Sequence, residues 1–184
     1  MSLPLVVQKF GGSSLADADR IKRVARRIAR ERAAGNDLVV IVSAMGDATD
    51  ELLGLAAAIT DDPDARELDV LLATGEHQSA TLVSMALHAL GVPAISLTGP
   101  QAGITTDGRY GRARIAGIEP RRVRAELAAG KVVIVALLGW VEAAARPCLP
   151  AFFPHPHDPT SCDHLLRINV STSTRGLALC RRMS

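Results

Sequence analysis

Two short runs of β-branched residues most constrain what this 184-residue chain can fold into. Residues 38–42 and 131–137 are almost continuously apolar, which is typical of strands that are buried on both faces of a sheet. Shorter strand patterns occupy residues 5–10 and 94–97, and helical patterns lie between the strands. Strands that alternate with helices predict βαβ units. We therefore expect a three-layer αβα fold with a mainly parallel sheet.

The helical patterns have recognisable starts and ends. Asp17 can cap a helix, and Gly35 can terminate it. Its apolar face has the spacing of an amphipathic helix and comprises Ile21, Val24, Ala25, Ile28 and Ala29. Further helices are predicted over residues 50–59, 65–73, 76–90 and 120–129. Because parallel sheets bind ligands beyond the carboxyl ends of their strands, the loops after Lys9, Val42, Leu97 and Leu137 should contain the chemistry.

Composition excludes several classes of protein. A net charge of +2 and a hydrophobic content of 48% argue against a disordered chain. Aromatic residues make up only 3% of the chain, and its basic residues are scattered, so nucleic-acid binding is disfavoured. The sequence has no apolar run long enough for a membrane span and no signal-peptide pattern at its start. We expect a cytoplasmic protein that does not bind membranes.

The pattern changes at about residue 140. Five of the ten prolines lie between Pro147 and Pro159, and all three cysteines lie in the last 37 residues. No helical or alternating period persists there. We therefore divide the chain into a folded unit over residues 1–139 and a poorly structured tail over residues 140–184.

A zinc site in this tail is an alternative interpretation. The candidate ligands are Cys148, His155, His157, Cys162, His164 and Cys180. Structural zinc sites usually use closely paired ligands, whereas these cysteines are 14 and 18 residues apart. This spacing is not typical of a zinc site, so no metal ligands are assigned.

The segment Lys9-Phe10-Gly11-Gly12-Ser13-Ser14 follows the first strand and precedes a capped helix. Glycines at such a position let backbone N–H groups converge on an anion, and a lysine can stabilise a phosphoryl group in transfer. The alternative is a tight turn with a solvated Lys9. The lysine precedes the glycines, so this is not a Walker loop.

Two other segments carry candidate binding groups. Ser43 and Thr49 lie in a stretch of small and hydroxyl residues after the second strand, where Thr49 could instead serve only as a helix cap. Glu76 follows Gly75 at the predicted start of a long helix. A glutamate there either stabilises the helix dipole or receives the ammonium group of an amino-acid substrate.

Together, four motifs in this order resemble the aspartokinases of the amino-acid kinase family. They are V-Q-K-F-G-G-S-S at 7–14, V-S-A-M-G-D-A-T-D at 42–50, L-L-A-T-G-E at 71–76 and S-L-T-G-P-Q-A-G-I at 96–104. The resemblance covers residues 5–137, the N-terminal part of that family's catalytic domain.

The resemblance implies phosphoryl transfer from MgATP to the side-chain carboxylate of L-aspartate, the first step of lysine, threonine and methionine biosynthesis. By position, Lys9 is the implied catalytic residue and a phosphate ligand, and Gly11, Gly12 and Ser13 hold phosphates through their N–H groups. Ser43 and Thr49 are the implied substrate contacts, and Glu76 binds the substrate ammonium.

The sequence also departs from this family. The Arg-Gly-Gly-Ser-Asp-Thr-type motif and the nucleotide-binding half that normally follow are not found after residue 137. We therefore expect a truncated or frame-shifted chain with little or no activity. The alternative is a non-catalytic remnant that binds aspartate or phosphate, or that associates with itself or a full-length subunit through an exposed sheet edge.

Overall fold

The computed structural model describes residues 3–137 and the backbone of residues 164–167. The strands are β1 Leu5–Phe10, β2 Asp37–Val42, β3 Ala94–Thr98, β4 Ile104–Thr106, β5 Ile115–Ile118, β6 Val132–Ala136 and β7 His164–Arg167. The helices are α1 Ala18–Ala33, α2 Ala48–Ile59, α3 Ala65–Ala89 and α4 Arg121–Ala128, with a 3₁₀ helix over Gly12–Leu15.

Five of these strands form one sheet in the order β3-β6-β2-β1-β7. The pairs β3–β6, β6–β2 and β2–β1 are parallel, and β7 is antiparallel to β1. Strands β4 and β5 form a separate antiparallel pair. Because β1, β2, β3 and β6 run in the same direction, their carboxyl ends meet at one edge of the sheet. The predicted αβα class with a mainly parallel sheet is confirmed.

Helix α1 begins and ends where the sequence indicates. The Asp17 carboxylate accepts a hydrogen bond from the backbone N–H of Arg20 at 2.7 Å, as an N-cap should. Gly35 follows the helix with a φ of 85°, a conformation that glycine adopts without steric cost. These two signals fix the helix so that its apolar face packs on the sheet.

The sheet has a hydrophobic core on each face. Helices α1 and α3 cover one face through Val24, Ile28, Val83 and Leu87. On the other face, α4 packs through Val123 and Leu127 against β3 and β6. All five residues of β6 are buried, which confirms the burial expected for residues 132–136. Strand β2 differs, because its residues alternate between buried and half-buried, so only one of its faces is fully covered.

Helix α3 corrects a prediction. Residues 65–73 and 76–90 were expected to form two helices, but α3 is a single helix of 25 residues that continues through Gly75. A Cβ atom at Gly75 would lie 3.0 Å from the Cβ of Ala44 and 3.6 Å from Cδ1 of Leu52. Gly75 is therefore explained by close packing of α3 and not by a helix end.

The C-terminal region is described only in part. Within residues 140–184, residues 164–167 form β7, and the remainder of the predicted tail lies outside the described residues. The division of the chain at residue 139 stays a prediction. In the described ranges, no helix combines the length and the apolar character that crossing a bilayer requires.

Buried Glu126 fastens α4 to the start of β6. Its carboxylate accepts hydrogen bonds from Nζ of Lys131 at 2.7 Å and from Nε of Arg122 at 2.5 Å. These two cations hold the pKa of the Glu126 carboxyl below its ordinary value. The backbone N–H of Lys131 also donates to the Glu126 carbonyl oxygen at 3.1 Å, so this corner is joined through both main chain and side chain.

The central position of β6 predicts a large effect of truncation at Ile134. This side chain is fully buried, on a strand paired with both β2 and β3. We expect Ile134→Ala to lower the free energy of unfolding by about 2–5 kcal/mol in urea denaturation, because it leaves a cavity in the core. The matched control is Ile118→Ala in β5, where the side chain is 58% exposed and the expected loss is below about 0.5 kcal/mol. Equal losses in the two variants would contradict this account of the core.

Candidate functional site

The loops that follow β1 and β2 are joined by backbone hydrogen bonds at the carboxyl edge of the sheet. The Ser43 N–H donates to the Phe10 carbonyl oxygen at 3.1 Å, and the Gly46 N–H donates to the Gly12 carbonyl oxygen at 3.0 Å. These bonds continue the pairing of β1 with β2 beyond the strands. They bring the glycine loop and the Ser43 loop into direct contact.

Gly12 is required by this contact. A Cβ atom at position 12 would lie 2.6 Å from the carbonyl oxygen of Ala44, a backbone atom that cannot move without displacing the loop. Gly11 is different, because a Cβ atom there has no neighbour within 4 Å. The two adjacent glycines therefore have distinct roles, and only Gly12 permits the close approach of the two loops.

Arg20 holds the glycine loop in place from α1. Its guanidinium Nη1 donates to the Ser13 carbonyl oxygen at 2.5 Å, and its Nε lies 3.2 Å from the Asp17 carboxylate. The Ser14 N–H also donates to the Gly11 carbonyl oxygen at 3.0 Å. The loop that was predicted to bind phosphate is thus held by a side chain of α1 and by a turn of its own backbone.

Glu76 lies in the interior of α3 and not near its start, which corrects the prediction. The helix-dipole interpretation does not apply there, because that effect is confined to the first and last turns of a helix. The side chain instead reaches the loop after β2, where its Oε1 accepts a hydrogen bond from the Ala44 N–H at 3.4 Å. Glu76 is 6% exposed, and its Oε2 has no hydrogen-bond partner within residues 3–137.

Burial raises the pKa of the Glu76 carboxyl above its ordinary value, and the backbone N–H groups of Glu76 and Ala44 offset only part of this effect. A buried carboxylate with one unused oxygen is costly to keep ionised without a cation. An ammonium group that reaches Oε2 would stabilise the ionised form. The site is therefore suited to a ligand with a positive charge on a small polar group.

The other predicted site side chains are those of Ser43, Thr49 and Lys9. Ser43 is half-buried directly before Ala44, and Thr49 is half-buried in the first turn of α2. No hydrogen bond within residues 3–137 joins Thr49 to Glu76. Lys9 is exposed at the end of β1, on the sheet face opposite to Gln8 and Phe10 and hence opposite to α3.

The structure thus brings Gly12, Ser43 and Glu76 together through contacts with the loop after β2. It places Lys9 and Thr49 at the same edge of the sheet without a described contact to Glu76.

Two residues of this region were missed by the sequence analysis. Ala44 contacts Gly12, Gly75 and Glu76 through different atoms, but an alanine carries no chemical signal in a sequence. Gln8 is 2% exposed, and neither atom of its amide has a hydrogen-bond partner within residues 3–137. The sequence signal that could have identified Gln8 is its position, because it is a polar residue at a place in β1 that the alternating pattern assigns to the core.

The described residues do not provide an evident metal centre. Within residues 3–137, no three His, Cys, Asp or Glu side chains come together as a metal-binding group would. Of the six candidate zinc ligands in the tail, no side chain lies within the described residues.

The contrast between the two glycines gives a direct test of the loop contact. We expect Gly12→Ala to displace the loop after β2 and to lower the free energy of unfolding by about 1–3 kcal/mol, the usual cost of overpacking. Gly11→Ala should change it by less than about 0.5 kcal/mol, because its φ of −79° suits alanine and the space is open. Thermal and urea unfolding of both variants make the comparison, and a tolerated Gly12→Ala would contradict the geometry.

Comparison with known proteins agrees with this architecture. The model of the amino acid kinase family matches residues 4–146. The chain is 57% identical over 134 residues to an aspartokinase of Corynebacterium efficiens and 54% identical over the same length to one of Mycolicibacterium smegmatis. Each alignment covers 73% of this chain and 32% of the relative, so the chain spans about a third of the length of these proteins.

Solved structures of aspartate kinases are also similar to this chain. The aspartate kinase of Synechocystis is similar with a TM-score of 0.62 and 48% identity, over 72% of this chain and 21% of that chain. E. coli aspartokinase III in complex with aspartate and ADP also has a TM-score of 0.62 over 72% of this chain and 40% of its own. That second likeness is at 21% identity and shows the fold alone.

Proposed function

The chain belongs to the amino acid kinase family, and from that premise we propose that its carboxyl-edge site binds L-aspartate as the acceptor of a phosphoryl group. The curated relatives named above are aspartokinases. The four resembling motifs all lie within residues 4–146, the range that the family model matches. The observation that carries the proposal is the buried Glu76 carboxylate, whose Oε2 is left without a protein partner among residues 3–137.

The substrate ammonium is proposed to bind at Glu76. Charge-assisted hydrogen bonds to a buried carboxylate are stronger than neutral ones, and here the binding also removes the cost of an unpaired buried charge. The Ala44 N–H fixes the orientation of the carboxylate by holding Oε1. The substrate carboxylates would then be directed toward Ser43 and Thr49, whose hydroxyl groups can donate to them.

Phosphoryl transfer requires an anion site next to this pocket. We assign that site to the N–H groups of Gly11, Gly12 and Ser13, in the loop that contacts Ala44 and Gly46. A carboxylate oxygen of aspartate forms the new bond to the γ-phosphorus of ATP, and the bond from that phosphorus to the bridging oxygen breaks as ADP leaves. Lys9, at the end of β1, is assigned to the developing negative charge, which its long flexible side chain can approach.

The described residues contain no cluster of three His, Cys, Asp or Glu side chains that could hold the Mg²⁺ that the resemblance implies. We further propose that residues 1–139 supply the amino-acid side of the reaction, with residues 164–167 paired to the edge of β1. On this proposal ATP is the phosphoryl donor. The sequence lacks the Arg-Gly-Gly-Ser-Asp-Thr-type motif that the resemblance leads us to expect after residue 137.

An assay of ADP release separates binding from catalysis. We expect the 184-residue chain to bind L-aspartate but to release ADP from MgATP no faster with aspartate than without it, because catalytic groups that act as a unit do not function piecemeal. Aspartate-dependent turnover would refute the predicted inactivity and leave the binding proposal intact.

The Glu76→Gln variant tests the ammonium site itself. Gln retains an oxygen for the Ala44 N–H but loses the charge, so we expect L-aspartate to bind about 10–100-fold more weakly in calorimetry, the value of a charged hydrogen bond. Succinate, which lacks the ammonium group, should bind weakly to both proteins. The matched control is Glu51→Gln on the exposed surface of α2, which should bind aspartate normally.

The same variant should be more stable than the wild type at neutral pH. A carboxyl whose pKa is raised by folding holds its proton more tightly in the native state, so its contribution to stability is lost as the pH rises from about 4.3 through the raised pKa. Glu76→Gln removes that loss. Unchanged aspartate affinity in Glu76→Gln would contradict the proposal, whatever its effect on stability.

A further inference from the structure

The outer face of α1 carries an unusual concentration of positive charge. The helix contains six arginines and one lysine against one aspartate and one glutamate. Several of these cations have local partners: Arg20 pairs with Asp17, Lys22 with Asp19 and Arg32 with Asp37. Arg27 also has a partner, because its guanidinium lies 5.8 Å from the centroid of the Phe10 ring. The other arginines on this face are the ones that need an explanation.

Three of them line a surface groove between α1 and the end of α3. The groove has a volume of about 660 Å³ and is lined by Arg23, Arg26, Ala29, Arg30 and Leu90. Arg26 donates only to the carbonyl oxygen of Lys22, and Arg23 and Arg30 make no hydrogen bond or ion pair with any residue of 3–137. Leu90 is 47% exposed. The groove therefore presents three arginines without carboxylate partners around an apolar floor.

The chain contains a segment with the complementary character. Ile59 is 85% exposed at the end of α2, and the exposed residues Asp61, Asp62 and Asp64 follow it before α3. The Asp64 carboxylate caps α3 by accepting from the Glu67 N–H, whereas those of Asp61 and Asp62 make no ion pair within residues 3–137. One apolar side chain followed by acidic side chains matches an apolar floor surrounded by arginines.

The two surfaces cannot meet within one molecule. The acidic segment precedes the first residue of α3, and Leu90 follows its last residue. A helix of 25 residues is roughly 37 Å long at a rise of 1.5 Å per residue, so the two surfaces lie at opposite ends of α3.

We propose that the α1 groove binds the acidic segment at residues 59–64 of a second copy of this chain. Because the contact joins two different surfaces, it is heterologous and each copy keeps one free surface of each kind. Association should then continue head to tail, be favoured by low salt and involve neither the aspartate site nor its chemistry.

Two charge-reversal variants test this contact. The groove variant carries Arg23→Glu, Arg26→Glu and Arg30→Glu, and the loop variant carries Asp61→Lys and Asp62→Lys, which leaves the Asp64 cap intact. In sedimentation velocity at about 0.05 M salt, where screening is weak, we expect the wild type to associate with increasing concentration. Each variant alone should associate at least about tenfold more weakly, because both surfaces of a contact are needed.

The decisive sample is an equimolar mixture of the two variants. Each retains one intact surface, and the reversed charges of the other two surfaces complement each other, so the mixture should recover the association that each variant alone has lost. The matched control carries Arg112→Glu, Arg121→Glu and Arg124→Glu, which alter the net charge equally outside the groove and should leave association unchanged.

Three outcomes would overturn the proposal. The first is a wild type that is monomeric at about 0.1 mM in low salt, a concentration at which micromolar contacts are populated. The others are undiminished association of either variant and a mixture that stays monomeric. Undiminished association of both variants would indicate contact through another surface, such as the edge of β3. If circular dichroism shows that the groove variant is unfolded, Arg23→Gln with Arg30→Gln replaces it and must weaken association as well.

Discussion

The close approach of three backbone segments around Ala44 is the constraint on which the site depends. The carbonyl oxygen of Ala44 faces Gly12, its Cβ lies against Gly75, and its N–H donates to Glu76. Side chains larger than hydrogen at positions 12 and 75 would push these segments apart. The parallel sheet supplies the long-range geometry, because it delivers the ends of β1 and β2 to the same edge, and the glycines then allow contact.

This arrangement has an energetic consequence for Glu76. The packing that brings α3 against the loop after β2 also removes the carboxylate from water, and one backbone N–H satisfies only part of its hydrogen-bonding capacity. The pKa of the carboxyl rises as a result. The unpaired buried carboxylate is costly in the ligand-free protein, and binding of a cationic group removes that cost. Burial is therefore the origin of the proposed selectivity for an amino acid over a dicarboxylate that lacks an ammonium group.

Much of the fold follows from local sequence signals, because they coincide with tertiary structure. The buried pattern of β6, the Asp17 cap and the Gly35 stop all predict elements that the structure contains. The prediction failed at Gly75, where a glycine that serves packing between segments looks the same in a sequence as one that ends a helix. The β4–β5 pair was also missed, since three- and four-residue strands show little periodicity.

The site was predictable only in part for a related reason. Motif residues such as Gly12, Ser43 and Glu76 can be recognised in the sequence, but which of their atoms meet cannot be read from it. The sequence pattern also predicted Glu76 at the start of a helix, whereas it lies in the interior of α3. The face of β1 that carries Lys9 and the convergence on Ala44 emerge only when the strands are paired.

The pKa of Glu76, followed by carboxyl-carbon NMR with and without L-aspartate, tests the central claim most directly. The account predicts a value above the ordinary range of glutamate in the free protein and a clear decrease when L-aspartate is added, with no decrease on adding succinate. A Glu76 that titrates normally, or one whose titration L-aspartate leaves unchanged, would contradict the account.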